Sequence, residues 1–131
     1  MKIAVLGAGS WGTTLGQVLT ENGHDILLWH LEQDFVNDIN QTHIHPFLPS
    51  VNLNKTLQFT ASLDDIFGYG EILISALPSQ VVRLVLEKFP SGWRKPVVSV
   101  SKGIENNTSM RMSEVISETL NLHAEEIVIL S

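Results

Sequence analysis

The stretch GAGSWG, residues 7 to 12, places Gly7, Gly9 and Gly12 directly after an apolar run from Lys2 to Leu6. Ordered glycine costs conformational entropy, so this density marks backbone geometry that other residues cannot supply. The chemistry such a turn performs is anion binding. Gly7 permits a tight turn out of a strand, Gly9 lets a diphosphate approach the main chain without meeting a Cβ, and Gly12 lets a following helix pack closely. The phosphates would then face the first turn of that helix, bordered by Ser10 and Trp11. Its free N–H groups and dipole stabilise a negative charge by about 0.3–2 kcal/mol without a basic side chain.

A dinucleotide is read a second time at the end of the next strand. There an acidic group hydrogen-bonds a ribose 2′-hydroxyl, whereas a basic group accommodates a 2′-phosphate. The residues are Trp29-His30-Leu31-Glu32. His30 and Leu31 occupy the reading position, and neither supplies a fixed charge, since histidine is mostly neutral near pH 7. Glu32 lies about 20 residues past the last glycine, the spacing of a ribose carboxylate, and equally suits the first turn of the next helix. His43 and His45 have no carboxylate or cysteine partner at ligand spacing, so they read as plain loop residues and no metal is expected.

The rest of the composition is compatible with nucleotide binding and narrows the alternatives. The chain has 131 residues, 44% hydrophobic and 17% charged, with net charge −6 and no cysteine. That is one domain with its own core. Disulfides, thiolate metal sites and a cysteine nucleophile are excluded. There is no block of Lys and Arg, so the electrostatic footprint of a nucleic-acid binder is missing. No apolar run approaches the roughly 20 residues that span a bilayer. A cytoplasmic protein with neither nucleic-acid nor membrane partners is expected.

The elements needed to position these residues alternate along the chain. Strands are expected at Lys2–Leu6, Asp25–Trp29, Leu57–Thr60, Ile72–Leu77, Val97–Val100 and Ile127–Leu130, the first, second and fourth of them as apolar runs. Between them lie helical patterns at Ser10–Glu21 and Glu32–Asn40. A third begins at Ser62, with Asp65 completing a capping box, a fourth begins at Ser79 as N-cap, and the last covers Thr108–Asn121. Gln41–Asn54 is a long loop and Pro90–Pro96 a turn-rich break. The alternation predicts an α/β fold, a Rossmann-type doubly wound parallel sheet in three layers, α/β/α, with its ligand crevice at the carboxyl ends of the strands.

Five segments, GAGSWGTTL, NGHDILLW, DINQTHIHPFLP, SALPSQ and SKGIE, occur in this order over nearly the whole chain. Together they resemble the N-terminal domain of NAD(P)-dependent glycerol-3-phosphate dehydrogenase. The resemblance implies NAD or NADP as cofactor, dihydroxyacetone phosphate and sn-glycerol 3-phosphate as substrate and product, and a homodimeric full-length form. It also implies that the glycines, Ser10 and Trp11 hold the cofactor, that Pro78 and Ser79 pass near the nicotinamide, and that Lys102 is both cofactor-binding and catalytic, lying where cofactor meets substrate. A strand-end ammonium suits that place, because it attracts a phosphate-bearing substrate and stabilises charge developing on a carbonyl oxygen.

The sequence also departs from the family. The basic residue usual after the second-strand tryptophan is replaced by Leu31 or its neighbour, so a side-chain grip on a 2′-phosphate is missing. Family members continue into a helical substrate domain, whereas this sequence ends before one. Residues 1–131 are therefore expected to be the cofactor domain alone, binding dinucleotide without turnover. The alternatives are a stand-alone dinucleotide-binding or redox-sensing module, and a dehydrogenase of the 6-phosphogluconate or β-hydroxyacid type.

Overall fold

The computed structural model describes residues 1–130. Six strands, β1 (Lys2–Leu6), β2 (Asp25–Trp29), β3 (Gln58–Thr60), β4 (Ile72–Ser75), β5 (Val97–Ser99) and β6 (Ile127–Ile129), pair in parallel in the order β3-β2-β1-β4-β5-β6. Five helices, α1 (Ser10–Glu21), α2 (Gln33–Thr42), α3 (Leu63–Tyr69), α4 (Val82–Lys88) and α5 (Met112–Leu120), connect them. Strand order reverses between β1 and β4, which opens the crevice expected of a doubly wound sheet. The expected fold class is the observed one.

Central strands buried on both faces must be apolar throughout, and β1 and β2 are buried at every position but the first. Along β1, Ala4 and Leu6 face one core with Ile66, Val82, Leu86 and Ile116 of α3, α4 and α5. Ile3 and Val5 face the other with Val36 and Ile39 of α2, while Leu15 and Leu19 of α1 pack against it. Burying each such side chain fully contributes about 1.5–3 kcal/mol relative to exposure. Two cores, one on each sheet face, hold the strand ends in register.

Several element boundaries differ from the sequence reading. The fourth helix does not begin at Ser79. Ser79–Val81 is a separate 3-10 turn with no side-chain cap, and α4 starts at Val82. The last helix starts at Met112, where the Arg111 N–H donates to the Glu114 carboxylate at 3.0 Å. Thr108 instead donates its hydroxyl to Glu105. Ser62 does cap α3, accepting from the Asp65 N–H at 3.2 Å, but the Asp65 carboxylate turns away to accept from the Thr60 hydroxyl. Only half of the capping box forms.

His45 is a further correction. It does lie in the loop after α2, yet it is only 1% exposed, with Nδ1 accepting from the Phe47 N–H at 3.0 Å and Nε2 placed 2.9 Å from the Ala8 carbonyl oxygen. A ring whose Nδ1 accepts carries its proton on Nε2 when neutral, so Nε2 donates to Ala8. The histidine ties the loop after α2 to the glycine turn.

Between α4 and α5, Arg83 gathers acids. Its Nε lies 2.9 Å from the buried Glu105 carboxylate and its Nη1 2.8 Å from Glu118. The guanidinium, with the Thr108 hydroxyl, holds the Glu105 carboxyl below its ordinary range. A carboxyl depressed in the fold contributes stability above its unfolded value near 4.5 and loses it as pH falls further. Glu105→Gln therefore lowers the melting temperature at pH 7, and thermal scans from pH 7 to pH 3 find the gap from the parent chain shrinking once pH drops below about 4.5.

Candidate functional site

The crevice at the carboxyl ends of β1, β2, β4 and β5 encloses about 1030 Å³, at the upper end of the ~300–1,000 Å³ usual for ligand clefts. Gly7, Gly9, Ser10, Trp11, Gly12, His30, Leu31, Pro78 and Lys102 all line it. The structure thus brings these nine residues to one cavity and leaves Glu32, the candidate ribose carboxylate, outside its lining. It adds an apolar wall that the sequence reading missed: Leu77, Val81, Leu84 and Val85, with Leu63 from the start of α3. Lys88 and Lys102 are its two lysines.

The three glycines do three different things. Gly7 sits at φ +109°, and a Cβ there would lie 2.7 Å from the Ala76 carbonyl oxygen. A side chain is excluded twice over, by the left-handed backbone and by the neighbouring strand end. A Cβ on Gly12 would lie 2.0 Å from the Gly7 carbonyl oxygen. The third glycine therefore packs chiefly against the turn itself rather than against the sheet. Close approach to the sheet belongs to Gly16, whose added Cβ would meet the Leu28 side chain at 3.1 Å.

Gly9 is different. Its backbone is ordinary, at φ −70°, and a Cβ would meet nothing within 4 Å. Neither strain nor internal packing requires glycine at this exposed position. Gly9 is the N-cap of α1 and lines the cleft, and the space a Cβ would take there is open. The first intrahelical bond runs from the Thr13 N–H to the Gly9 carbonyl at 3.0 Å, so the N–H groups of Ser10, Trp11 and Gly12 have no partner within the helix. No side chain caps this end and no acid occupies its first turn. A helix start left open in this way carries a partial positive charge directed at whatever fills the cleft.

The end of β2 carries no fixed cation. His30 Nδ1 accepts from the Glu32 N–H at 3.0 Å, and the ring stacks on Phe35 with centroids 3.8 Å apart. Burial pushes its pKa below the ordinary 6.5, outweighing the attraction of Glu32, so the ring is neutral at pH 7. Leu31 is 73% exposed and Trp11 56% exposed, both at the cleft mouth. Phe35 also meets His45 edge-on at 5.5 Å. An aromatic row, His30–Phe35–His45, thereby joins the end of β2 to the glycine turn. Beyond the cleft, no group of three or more potential metal-ligating side chains occurs among the described residues, nor any helix long and apolar enough to cross a membrane.

Fold and cleft together define a dinucleotide-binding domain of the doubly wound type. The sequence profile described as "NAD-dependent glycerol-3-phosphate dehydrogenase N-terminus" matches residues 2–131, and the chain belongs to that family. Relatives named "Glycerol-3-phosphate dehydrogenase [NAD(P)+]" include one from Listeria monocytogenes serotype 4a, 41% identical over 123 residues, covering 92% of this chain and 36% of the relative. Another, from Staphylococcus saprophyticus, is 34% identical over 144 residues, covering 98% and 43%. The chain thus spans well under half the length of these relatives. Among solved structures, glycerol-3-phosphate dehydrogenase from Coxiella burnetii matches with TM-score 0.81 at 25% identity, over 92% of this chain and 38% of that one. The Saccharomyces cerevisiae enzyme shares the fold with TM-score 0.82 at 24% identity, over 100% and 41%.

The glycines make separable predictions. Gly9→Ala leaves stability within about 0.5 kcal/mol of the parent, as a surface change away from packing should. Gly12→Ala drives a carbon into backbone and destabilises by about 3 kcal/mol or more. Urea melts of the two variants compare these values, and equal losses would contradict the geometry.

Proposed function

We propose that this chain is the cofactor half of a glycerol-3-phosphate dehydrogenase, holding NADH or NADPH in the β1–β4 crevice. The observation that carries the reading is Gly9, a glycine needed by neither backbone strain nor packing, beside three amides left unpaired by the helix. A diphosphate lying there satisfies those amides and explains the missing Cβ.

In this reading Gly7, Gly9, Ser10, Trp11 and Gly12 hold the diphosphate. His30 and Leu31 border the adenosine ribose, and Pro78 lies beside the nicotinamide, which when bound supplies a hydride for a carbonyl carbon. Lys102, exposed at the end of β5, attracts the phosphate-bearing ketone and steadies charge developing on its oxygen. The substrate pair is dihydroxyacetone phosphate and sn-glycerol 3-phosphate, and the whole enzyme is a cytoplasmic homodimer without nucleic-acid or membrane partners. Exposed Trp11, Leu31 and Lys102 leave the cleft walled on one side. A second, helical substrate domain of the kind the family resemblance implies would complete the wall, exclude water and orient the ketone, and orientation alone supplies several kcal/mol of a barrier. Alone, this chain binds dinucleotide without turning substrate over.

Titration of the chain with NADH and NADPH, followed by tryptophan emission and calorimetry, tests the reading. Both bind, NADH at least as tightly, and Gly9→Ala weakens both by about tenfold or more while keeping the fold. Leu31→Arg adds the cation that the end of β2 lacks and tightens NADPH by about tenfold, with NADH little changed. No heat with either coenzyme would overturn cofactor binding, and dehydrogenase turnover by the chain alone at enzyme-like rates would overturn the half-site.

A further inference from the structure

Lys102 lies on a loop that must be held in place by something, and the structure shows what holds it. On one side the Ser101 hydroxyl donates to the Leu77 carbonyl. On the other, the Gln80 carboxamide spans the loop in both directions, its Nε2 donating to the Ile104 carbonyl at 2.9 Å and its Oε1 accepting from the Asn106 N–H at 3.0 Å. One side chain thus imitates a strand neighbour for residues 104–106. Arg83, three residues on, takes both Glu105 oxygens from Nε, at 2.9 and 3.1 Å. Between these anchors Gly103 adopts φ +93°, and a Cβ there would lie 3.8 Å from the Ser79 hydroxyl oxygen. The loop after β5 is laid against the turn after β4.

Neither Gln80 nor Arg83 nor Glu105 lines the cleft, whereas Pro78, Ser79, Ser101 and Lys102 do. The three residues therefore reach the cleft through the loop and the turn they join rather than as part of its wall. We propose that Gln80 and Arg83 are positioning residues that fasten the loop after β5 to the turn after β4 and so fix where the Lys102 ammonium stands relative to a bound dinucleotide, an inference that rests on the cofactor reading above. A planar carboxamide gripping two main-chain groups sets the register of the loop, and the ion pair, in which the Arg83 Nε–H is shared between both Glu105 oxygens, sets its tilt. Without them Gly103 is free to swing, and Lys102 samples positions away from the ligand.

The test is a double-mutant cycle read by NADH affinity. Gln80→Leu removes both grips from an exposed side chain, and Lys102→Met removes the group said to be positioned. With Lys102 present, Gln80→Leu weakens NADH by about tenfold; in the Lys102→Met background it changes affinity less than about twofold. A loss of the same size in both backgrounds means that Gln80 acts otherwise than through Lys102, and no loss in either means that it positions nothing; both results overturn the proposal. Should Gln80→Leu fail to fold, Gln80→Glu, which keeps the acceptor for Asn106 and loses the donor to Ile104, is read by the same criterion. Amide hydrogen exchange over residues 102–106 in the ligand-free chain provides the independent reading. It quickens in the variant while β5 amides hold, and unchanged exchange overturns the clamp. Failure of the parent chain to bind NADH would instead defeat the cofactor reading, leaving exchange to decide the clamp.

Discussion

The Gly7 carbonyl and the Gly12 α-carbon meet with no room for a side chain between them, and the rest of the site depends on that contact. It forces α1 to begin directly beside the end of β1. Its N-cap is Gly9, which has no side chain to bond the first amides, so those N–H groups are left without a partner in the helix beside the crevice that Gly9, Ser10 and Trp11 line. Anion binding then follows from main-chain geometry, which is how a chain of net charge −6 can receive a doubly negative ligand without a cluster of lysines.

Around this elbow the sheet acts as a ruler. Parallel pairing sets Leu6 beside Trp29 and Ser75, so the loops that follow them emerge at one level. His45 then braces the elbow from the far side by donating to the Ala8 carbonyl, and the row of His30, Phe35 and His45 transmits that bracing to the end of β2. On the opposite flank, Gln80 and Arg83 brace the loop that carries Lys102. The elbow residues at the cleft are small or exposed, and the side chains that brace the elbow and the Lys102 loop, His45, Gln80 and Arg83, are not part of the cleft's lining.

Much of this was legible in the sequence because it rests on local rules. Apolar runs marked most of the strands, and glycine spacing after the first of them marked the elbow. Other features depend on partners distant in sequence. His45 reads as a loop residue until its partner, 37 positions away, is known. Ser79 and Thr108 carry the chemistry of helix caps, yet Thr108 bonds Glu105, itself held by Arg83 22 positions away, and the turn at Ser79 winds as a 3-10 segment, so both helices start three or four residues later. Trp93, in what reads as a turn-rich break, is buried between Phe67 and Phe89 at centroid distances of 5.9 and 5.7 Å, a cluster that no periodicity announces. Gly16 carries no local signal, and only the position of Leu28 reveals its use.

The most direct measurement is an amide-resolved NMR titration of the isotope-labelled chain with NADH. The account predicts that the backbone N–H resonances of Gly9, Ser10, Trp11 and Gly12 move furthest, in the direction of stronger hydrogen bonding, and saturate together with a single affinity. Saturating shifts confined to another surface, with the four elbow amides unmoved, would contradict it.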